Sequence, residues 1–500
     1  MEEYILTIDQ GTTSSRAILF NKKGQMAYMA QREVTNFFPK PSWVEQDALE
    51  IWVSVGDVIN ELKIKSNVEL TQIKAIGITN QRETTIVWDK ETGVPVYNAI
   101  VWQSKQTQEI CDSLSEYEEL IKNKTGLRIN PYFSASKIRF ILDHIPHGQE
   151  RAERGELLCG TVDTWLIYKL TKGEVFATDY SNASRTLLYN IYEKKWDEEL
   201  CKLFNIPMCM LASVKDSSYI YGYSQIISHA HPIPIASCAG DQQASLFGQN
   251  CFNKGDIKNT YGTGCFMLMN TKETPIKSKN GLLTTIAWGI DGNVEYALEG
   301  SVFIGGASIQ WLRDQLKLVE KASDSEQIAN EVDNDEDIIV VPAFVGLGTP
   351  YWDDNARGAM FGLTRGTTYK NIVKATLESI AYQSKDVIEV MKKEAKTNFK
   401  TLKVDGGATQ NHYLMQFQAD ILNVKLNRPV VLETTALGAF YLAALAIKFY
   451  KDIDEIRSIH KYQDSYTQMM DARTRKFKYA RWKNAIKATR MFKLLKEENI

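Results

Sequence analysis

The sequence predicts a mixed α/β fold built of two similar halves with a cleft between them. Two turn regions carry that expectation. A β-branched run, a tight Gly/Thr/Ser turn and a second apolar run open the chain over Tyr4 to Phe20, and a polar Gly/Thr turn followed by an apolar strand returns over Asn259 to Met269. Both read as strand-to-strand hairpins. The turn glycines, Gly11 and Gly262, stand 251 residues apart in a chain of 500. A third observation is that the strands and helices following each turn come in a similar order, which points to an internal duplication with its boundary near Gly248 and halves of 1–248 and 249–500.

In the first half, a third strand is expected around Gln25 to Ala30. A helix follows, with Leu49, Trp52, Val53, Val55, Val58, Ile59 and Leu62 at helical spacing. The strand Ile73 to Ile78 then delivers Arg82 and Glu83 to a loop, and a short strand from Pro232 delivers Asp241, Gln242 and Gln243. In the second half, strands are expected near Leu282 to Trp288 and Val294 to Leu298, a helix from Gly306, and a strand ending at Val404 and Asp405. The segment Tyr369 to Lys396 reads as a helix with Val373, Leu377, Ile380, Ser384, Val387 and Met391 on one side. Ala436 to Ile447, only 12 residues long, reads as a buried helix, since a bilayer span needs roughly 20 apolar residues.

Composition removes several classes. With 59 Lys and Arg against 61 Asp and Glu the net charge is -2, so there is no electrostatic case for a nucleic-acid binder. Seven cysteines without a C-x-x-C pair fit a reduced protein with no structural disulfides. The N-terminus lacks a basic segment before its first apolar run, so no secretory signal is expected and the cytoplasm is the default location. Neither G-x-x-x-x-G-K-[ST] nor G-x-G-x-x-G occurs, which sets aside the P-loop and Rossmann folds.

The chemistry is sought in the turns and strand ends. Phosphate oxygens need approachable backbone N–H groups and donating hydroxyls, which Gly-Thr-Thr-Ser and Tyr-Gly-Thr-Gly supply, and Arg16 adds a fixed charge. Asp9 and Asp241 end strands in positions from which they could meet in the cleft, one or both beside a magnesium ion; turn capping is the alternative role for either. Arg82 and Glu83 could donate to and accept from a polyol, or form a surface ion pair.

The stretches Asp9 to Arg16, Gly77 to Trp88, Asn98 to Gln103, Gly160 to Trp165, Ala239 to Gln243, Asn259 to Asn270 and Phe361 to Gly366 together resemble the FGGY family of carbohydrate kinases, in particular its members that act on glycerol. The resemblance implies two ribonuclease-H-like, actin-type ATPase domains with ATP and glycerol between them, and formation of sn-glycerol 3-phosphate. It implies that Arg82, Glu83, Tyr132, Asp241 and Gln242 hold glycerol, with Trp102 and Phe266 walling its carbon chain. Thr12, Thr13, Ser14, Arg16 and Thr263 would meet the phosphates, and Gly306, Gln310, Gly407 and Asn411 would line the nucleotide site. Asp241 would orient or deprotonate the attacking hydroxyl, and Mg2+ would lie near Asp9 and Asp241. A homodimer or homotetramer is expected.

The chain departs from the family pattern in places. Between Ser228 and Ile233 it lacks the glycine-rich, arginine-bearing loop through which some bacterial relatives bind fructose 1,6-bisphosphate, so that control is not expected. Gly406 to His412 carries larger residues than many relatives, and Phe440 replaces a small residue, which implies local repacking. His229 with His231, and His144 with His147, lack a third ligand at zinc spacing and read as loop histidines. Residues 473–496 hold ten Lys and Arg and no acid, and are expected to form a packed C-terminal helix with a solvated basic face. An actin- or chaperone-like ATPase that grips a protein partner would share the phosphate turns; Arg82, Glu83, Tyr132, Asp241 and Gln242 favour a small-polyol pocket.

Overall fold

A computed structural model describes residues 2–227, 231–332 and 338–492. His229 and the basic segment from residue 493 onward lie outside the described residues. In the first half, β1 (Tyr4–Gln10), β2 (Ser14–Asn21) and β3 (Met26–Glu33) form an antiparallel meander, and α1 (Ala48–Ser66) leads into β4 (Ile73–Asn80). β5 (Ser218–Ser224) and β6 (Ile233–Gly240) come much later, and β6 runs into α2 (Asp241–Gly248). β1 is buried along its whole length, as a central strand covered on both faces must be. Of the α1 residues expected inward, Val55, Val58, Ile59 and Leu62 are buried, whereas Leu49 and Val53 are exposed; Ala48, Ile51 and Ser54 complete the inner face.

The second half repeats the plan. β7 (Ile257–Tyr261), β8 (Cys265–Lys272), β9 (Leu283–Ile290) and β10 (Asn293–Val302) are followed by α3 (Ala307–Asp314) and the long α4 (Tyr369–Ala395). Then come β11 (Thr401–Asp405), α5 (His412–Leu422), β12 (Lys425–Pro429), α6 (Thr434–Ala446), β13 (Tyr462–Tyr466) and α7 (Ala472–Met491). All six α4 residues expected on its inner side are buried.

The shared plan is visible in strand order. β3-β2-β1-β4-β6 and β10-β8-β7-β11-β12 have the same sequence of neighbours, two antiparallel pairings followed by two parallel ones. One 13-stranded sheet results, because β9 meets β5 through the single pair Ser218 and Ile290. β9 lies outside β10, so the sheet order there reverses the chain order.

α6 is apolar on all sides and buried, as the sequence indicates. What it covers is less expected: Phe440 stacks on Phe20 of β2, ring centroids 5.1 Å apart, and Ser237 of β6 donates to the Ala439 carbonyl at 2.7 Å. A C-terminal helix thus roofs the N-terminal sheet. It also crosses α2 so closely that a Cβ on Gly438 would stand 1.8 Å from the Ala244 carbonyl oxygen. At the other end, Trp482 of α7 is buried against Tyr382 and donates to Asp386, while Arg473, Lys476, Lys487 and Arg490 face outward. All seven cysteines are unbridged, and among the described residues no helix is long and apolar enough to cross a membrane.

Candidate active site

The site lies where the strand ends of the two halves face each other. β4 ends just before Arg82 and Glu83, and Glu83 adopts φ 60°, a conformation uncommon for a non-glycine residue and found where surroundings enforce it. Its carbonyl accepts from Thr85 Oγ1 at 2.9 Å, Ser134 Oγ at 3.2 Å and Lys137 Nζ at 3.3 Å. The pair is no surface ion pair. Both side chains are buried, and they lie 3.9 Å apart because each has a better partner.

Those partners went unnoticed in the sequence. Arg82 donates through Nη1 and Nη2 to Glu299 of β10, at 2.6 and 3.1 Å. Arg185 donates to Glu83 at 2.6 Å and to Glu299 at 3.0 Å. Burial pushes the Glu299 carboxyl up, yet Arg185 and Arg82 overcome it and hold the group down at about 2. With Glu299 occupying its two terminal nitrogens, Arg82 turns Nε toward Asp241 Oδ1 at 3.3 Å. Asp241 opens α2, accepts from the Gln242 backbone N–H at 2.7 Å, and its side chain remains 32% exposed, available to a ligand.

Aromatic rings flank this cluster. Trp102 packs edge-on against Tyr132 at 5.5 Å and Phe266 at 6.3 Å, and Arg82 Nη2 reaches the Tyr132 hydroxyl at 3.5 Å. The Trp102 indole donates to Thr12 Oγ1 at 2.9 Å, tying the aromatic wall to the first turn. That turn is closed by Gly11 N–H to the Ser14 carbonyl at 2.9 Å, with Thr13 accepting from Val34 at 3.0 Å. Arg16 is less free than a dedicated phosphate cation: it pairs with Glu433 at 2.6 Å, across the cleft, and reaches Asp9 only at 4.0 Å.

Asp9 is therefore a carboxyl without a close cation. Burial raises it to about 7 against the pull of Arg16, and Glu433 and Asp241 push the same way. It caps no turn. A divalent cation there would relieve both the desolvation and the like-charge repulsion, so the donor set of Asp9 and Asp241 fits a hard, oxygen-liking ion.

The second turn lies under the start of α3. Gly305 and Ala307 donate to the Thr263 carbonyl at 2.8 and 3.1 Å, and Gly306 donates to that of Gly262 at 2.9 Å. A Cβ on Gly306 would sit 2.8 Å from that oxygen, so only glycine allows the approach. Gln310 follows one turn along α3. Gly407 begins the turn after β11, and Asn411 caps α5, accepting from Leu414 N–H at 2.9 Å and donating to Ser325 at 3.2 Å. Asn411 thus has a structural duty besides any ligand contact.

Two more hubs escaped notice. Asp405 accepts from Ser245 of α2, Gln249 and Thr434 of α6, at 3.0, 2.8 and 2.6 Å. Lys258 of β7 is buried and donates to Gln242 Oε1 at 2.5 Å and Thr260 Oγ1 at 2.8 Å. Farther away, Asp163, Asp179 and Cys238 cluster, but Thr161, Thr178, Ser181, Asn182 and Ser217 already satisfy the two carboxylates. His144 stacks on Phe140 and His147 faces Glu150, as isolated histidines.

Two ribonuclease-H-like halves that face one another over glycine/threonine turns and strand-end carboxylates define an actin-type phosphotransfer architecture. The FGGY family of carbohydrate kinases matches over both parts, its N-terminal domain at residues 4–248 and its C-terminal domain at 257–447. The chain belongs to this family. It is 57% identical over 498 residues to a glycerol kinase of Geobacillus sp. (strain WCH70), covering 99% of this chain and all of the relative, and 56% identical to one of Staphylococcus epidermidis with the same coverage. Among solved structures, Plasmodium falciparum glycerol kinase with ADP superposes with a TM-score of 0.92 at 36% identity over 99% of both chains. A gluconate kinase from Lactobacillus acidophilus gives 0.88 at 22% identity over 98% and 99%, a likeness of fold.

Proposed function

We propose that the protein transfers the γ-phosphoryl group of ATP to glycerol, giving sn-glycerol 3-phosphate. The observation that carries this is the full-length 57% identity to a relative named for that activity. The site supports it. Arg82 and Asp241 present a donor and an acceptor 3.3 Å apart, and Trp102, Tyr132 and Phe266 form a wall beside them. A small, fully hydroxylated substrate is selected by pairing its hydroxyls with Arg82, Glu83, Asp241 and Gln242 while the wall excludes longer sugars.

Asp241 orients the primary hydroxyl and takes its proton late, as the bond to phosphorus forms in line with departure of ADP. Thr12, Thr13, Ser14 and Thr263 donate to phosphate oxygens, with Arg16 adding charge once it exchanges Glu433 for phosphate. Gly306, Gln310, Gly407 and Asn411 line the nucleotide side, so residues 1–248 hold mainly glycerol and phosphate and 249–500 the nucleotide. Asp9 and Asp241 would hold Mg2+, which when bound supplies charge neutralisation to the phosphates. The reading places the reaction in the cytoplasm, consistent with seven unpaired thiols. Incubation with glycerol and Mg-ATP should yield one phosphomonoester of the sn-3 configuration, identified by phosphorus NMR and stereospecific oxidation; ATP hydrolysis without that product overturns the proposal.

A further inference from the structure

Gln242 is the one amide in the polyol set, and an amide can offer a ligand either its oxygen or its nitrogen. Lys258 decides which. An ammonium group has donors only, so the atom 2.5 Å from Lys258 Nζ must be the amide oxygen. With Oε1 committed, Nε2 is turned to the other side. Lys258 is itself fixed: β7 is flanked by β8 and β11, its ammonium also donates to Thr260 at 2.8 Å, and its side chain is fully buried.

We infer that Lys258 is a positioning residue that makes Gln242 a donor toward the polyol. Asp241, next in the chain, is an acceptor that binds no hydrogen-bond donor side chain more closely than Arg82 Nε at 3.3 Å. A hydroxyl between the two would accept from Gln242 and donate to Asp241, so its proton would point at the carboxylate that receives it. Lys258 belongs to the second half and Gln242 to the first, so the polarity of the polyol site is set from across the chain. This inference rests on the polyol-kinase reading above. Lys258→Met keeps most of the side chain's length and removes the ammonium; it leaves Gln242 and Thr260 without that donor and so costs some stability, which the melting control reads.

The experiment compares wild type, Lys258→Met and Lys258→Arg on whichever polyol the wild type phosphorylates best, with thermal melting as the folding control. Lys258→Met should raise the polyol KM about tenfold or more and leave the ATP KM within about twofold. Lys258→Arg, still donor-only, should restore the polyol KM to within about threefold. In a Gln242→Ala background, Lys258→Met should add less than about twofold. A polyol KM unchanged in Lys258→Met, or both KM values rising together, overturns the inference. If Lys258→Met does not fold, Lys258→Gln, whose amide fixes neither orientation, should show the same selective rise, and its absence is equally decisive. Preference for another polyol removes the glycerol assignment while the variant ratios still judge Lys258; no polyol turnover at all removes both.

Discussion

Glu299 accepts from both terminal nitrogens of Arg82, at 2.6 and 3.1 Å, although 217 residues separate them. The pair joins β10 of the second half to the strand end that carries the polyol set in the first, and Arg185 shares the same carboxylate. Removing one member of a buried ion cluster leaves the others charged and unpaired.

Glu299→Gln should therefore destabilise the fold by about 3–5 kcal/mol at neutral pH, read by denaturant unfolding. The sign with pH follows from the depressed carboxyl. Its folded value of about 2 lies below the ordinary 4.5, so its contribution is complete above about 4.5 and is lost as pH falls toward 2. The stability gap between wild type and Glu299→Gln should shrink through that window; a constant gap contradicts the pairing.

Asp241→Asn should lower kcat by about 100- to 10,000-fold, the range over which positioned proton acceptors act. The side chain is partly exposed and its backbone contacts survive, so the melting temperature should change little. Near-normal turnover removes Asp241 from its role.

Asp9→Asn is expected to separate stability from function. At pH 8 the buried Asp9 carboxyl is ionised above its raised value of about 7 without a close cation, so the amide should leave the ligand-free protein as stable as the wild type or more so. Turnover should nonetheless fall and need more Mg2+, measured by titrating the metal at fixed ATP. A large loss of stability would mean that Asp9 serves the fold.

Two glycines should respond oppositely to alanine. A Cβ on Gly438 meets the Ala244 carbonyl at 1.8 Å, so Gly438→Ala should part α6 from α2 and destabilise by at least about 1–3 kcal/mol. A Cβ on Gly407 meets nothing within 4 Å, so Gly407→Ala should melt as the wild type does. If nucleotide lies beside it, only the ATP KM rises.

The legible parts of this molecule were local. The hairpin at Gly11, its echo at Gly262, the buried face of α4 and the apolar run of α6 each express a short-range periodicity or turn chemistry. Glu299, Arg185, Lys258 and Asp405 were not legible, because each is a single charged residue in an ordinary strand or loop whose partner lies in another part of the chain. Leu49 and Val53 misled because apolar spacing alone does not fix the width of the buried stripe on α1. Likewise α6 announced its burial without indicating that it roofs the opposite half. Arg82 and Asp241 stood out as charged residues at strand ends, Tyr132, Trp102 and Phe266 only through family resemblance, and the fold gathers all five.

The most direct test of the account is a panel of kcat/KM values for glycerol, xylulose and gluconate at one fixed Mg-ATP concentration. Glycerol should lead by at least about 100-fold, since the unpaired hydroxyls and extra carbons of the others oppose a site of this polarity. A kcat/KM for xylulose or gluconate equal to or above that for glycerol would contradict it.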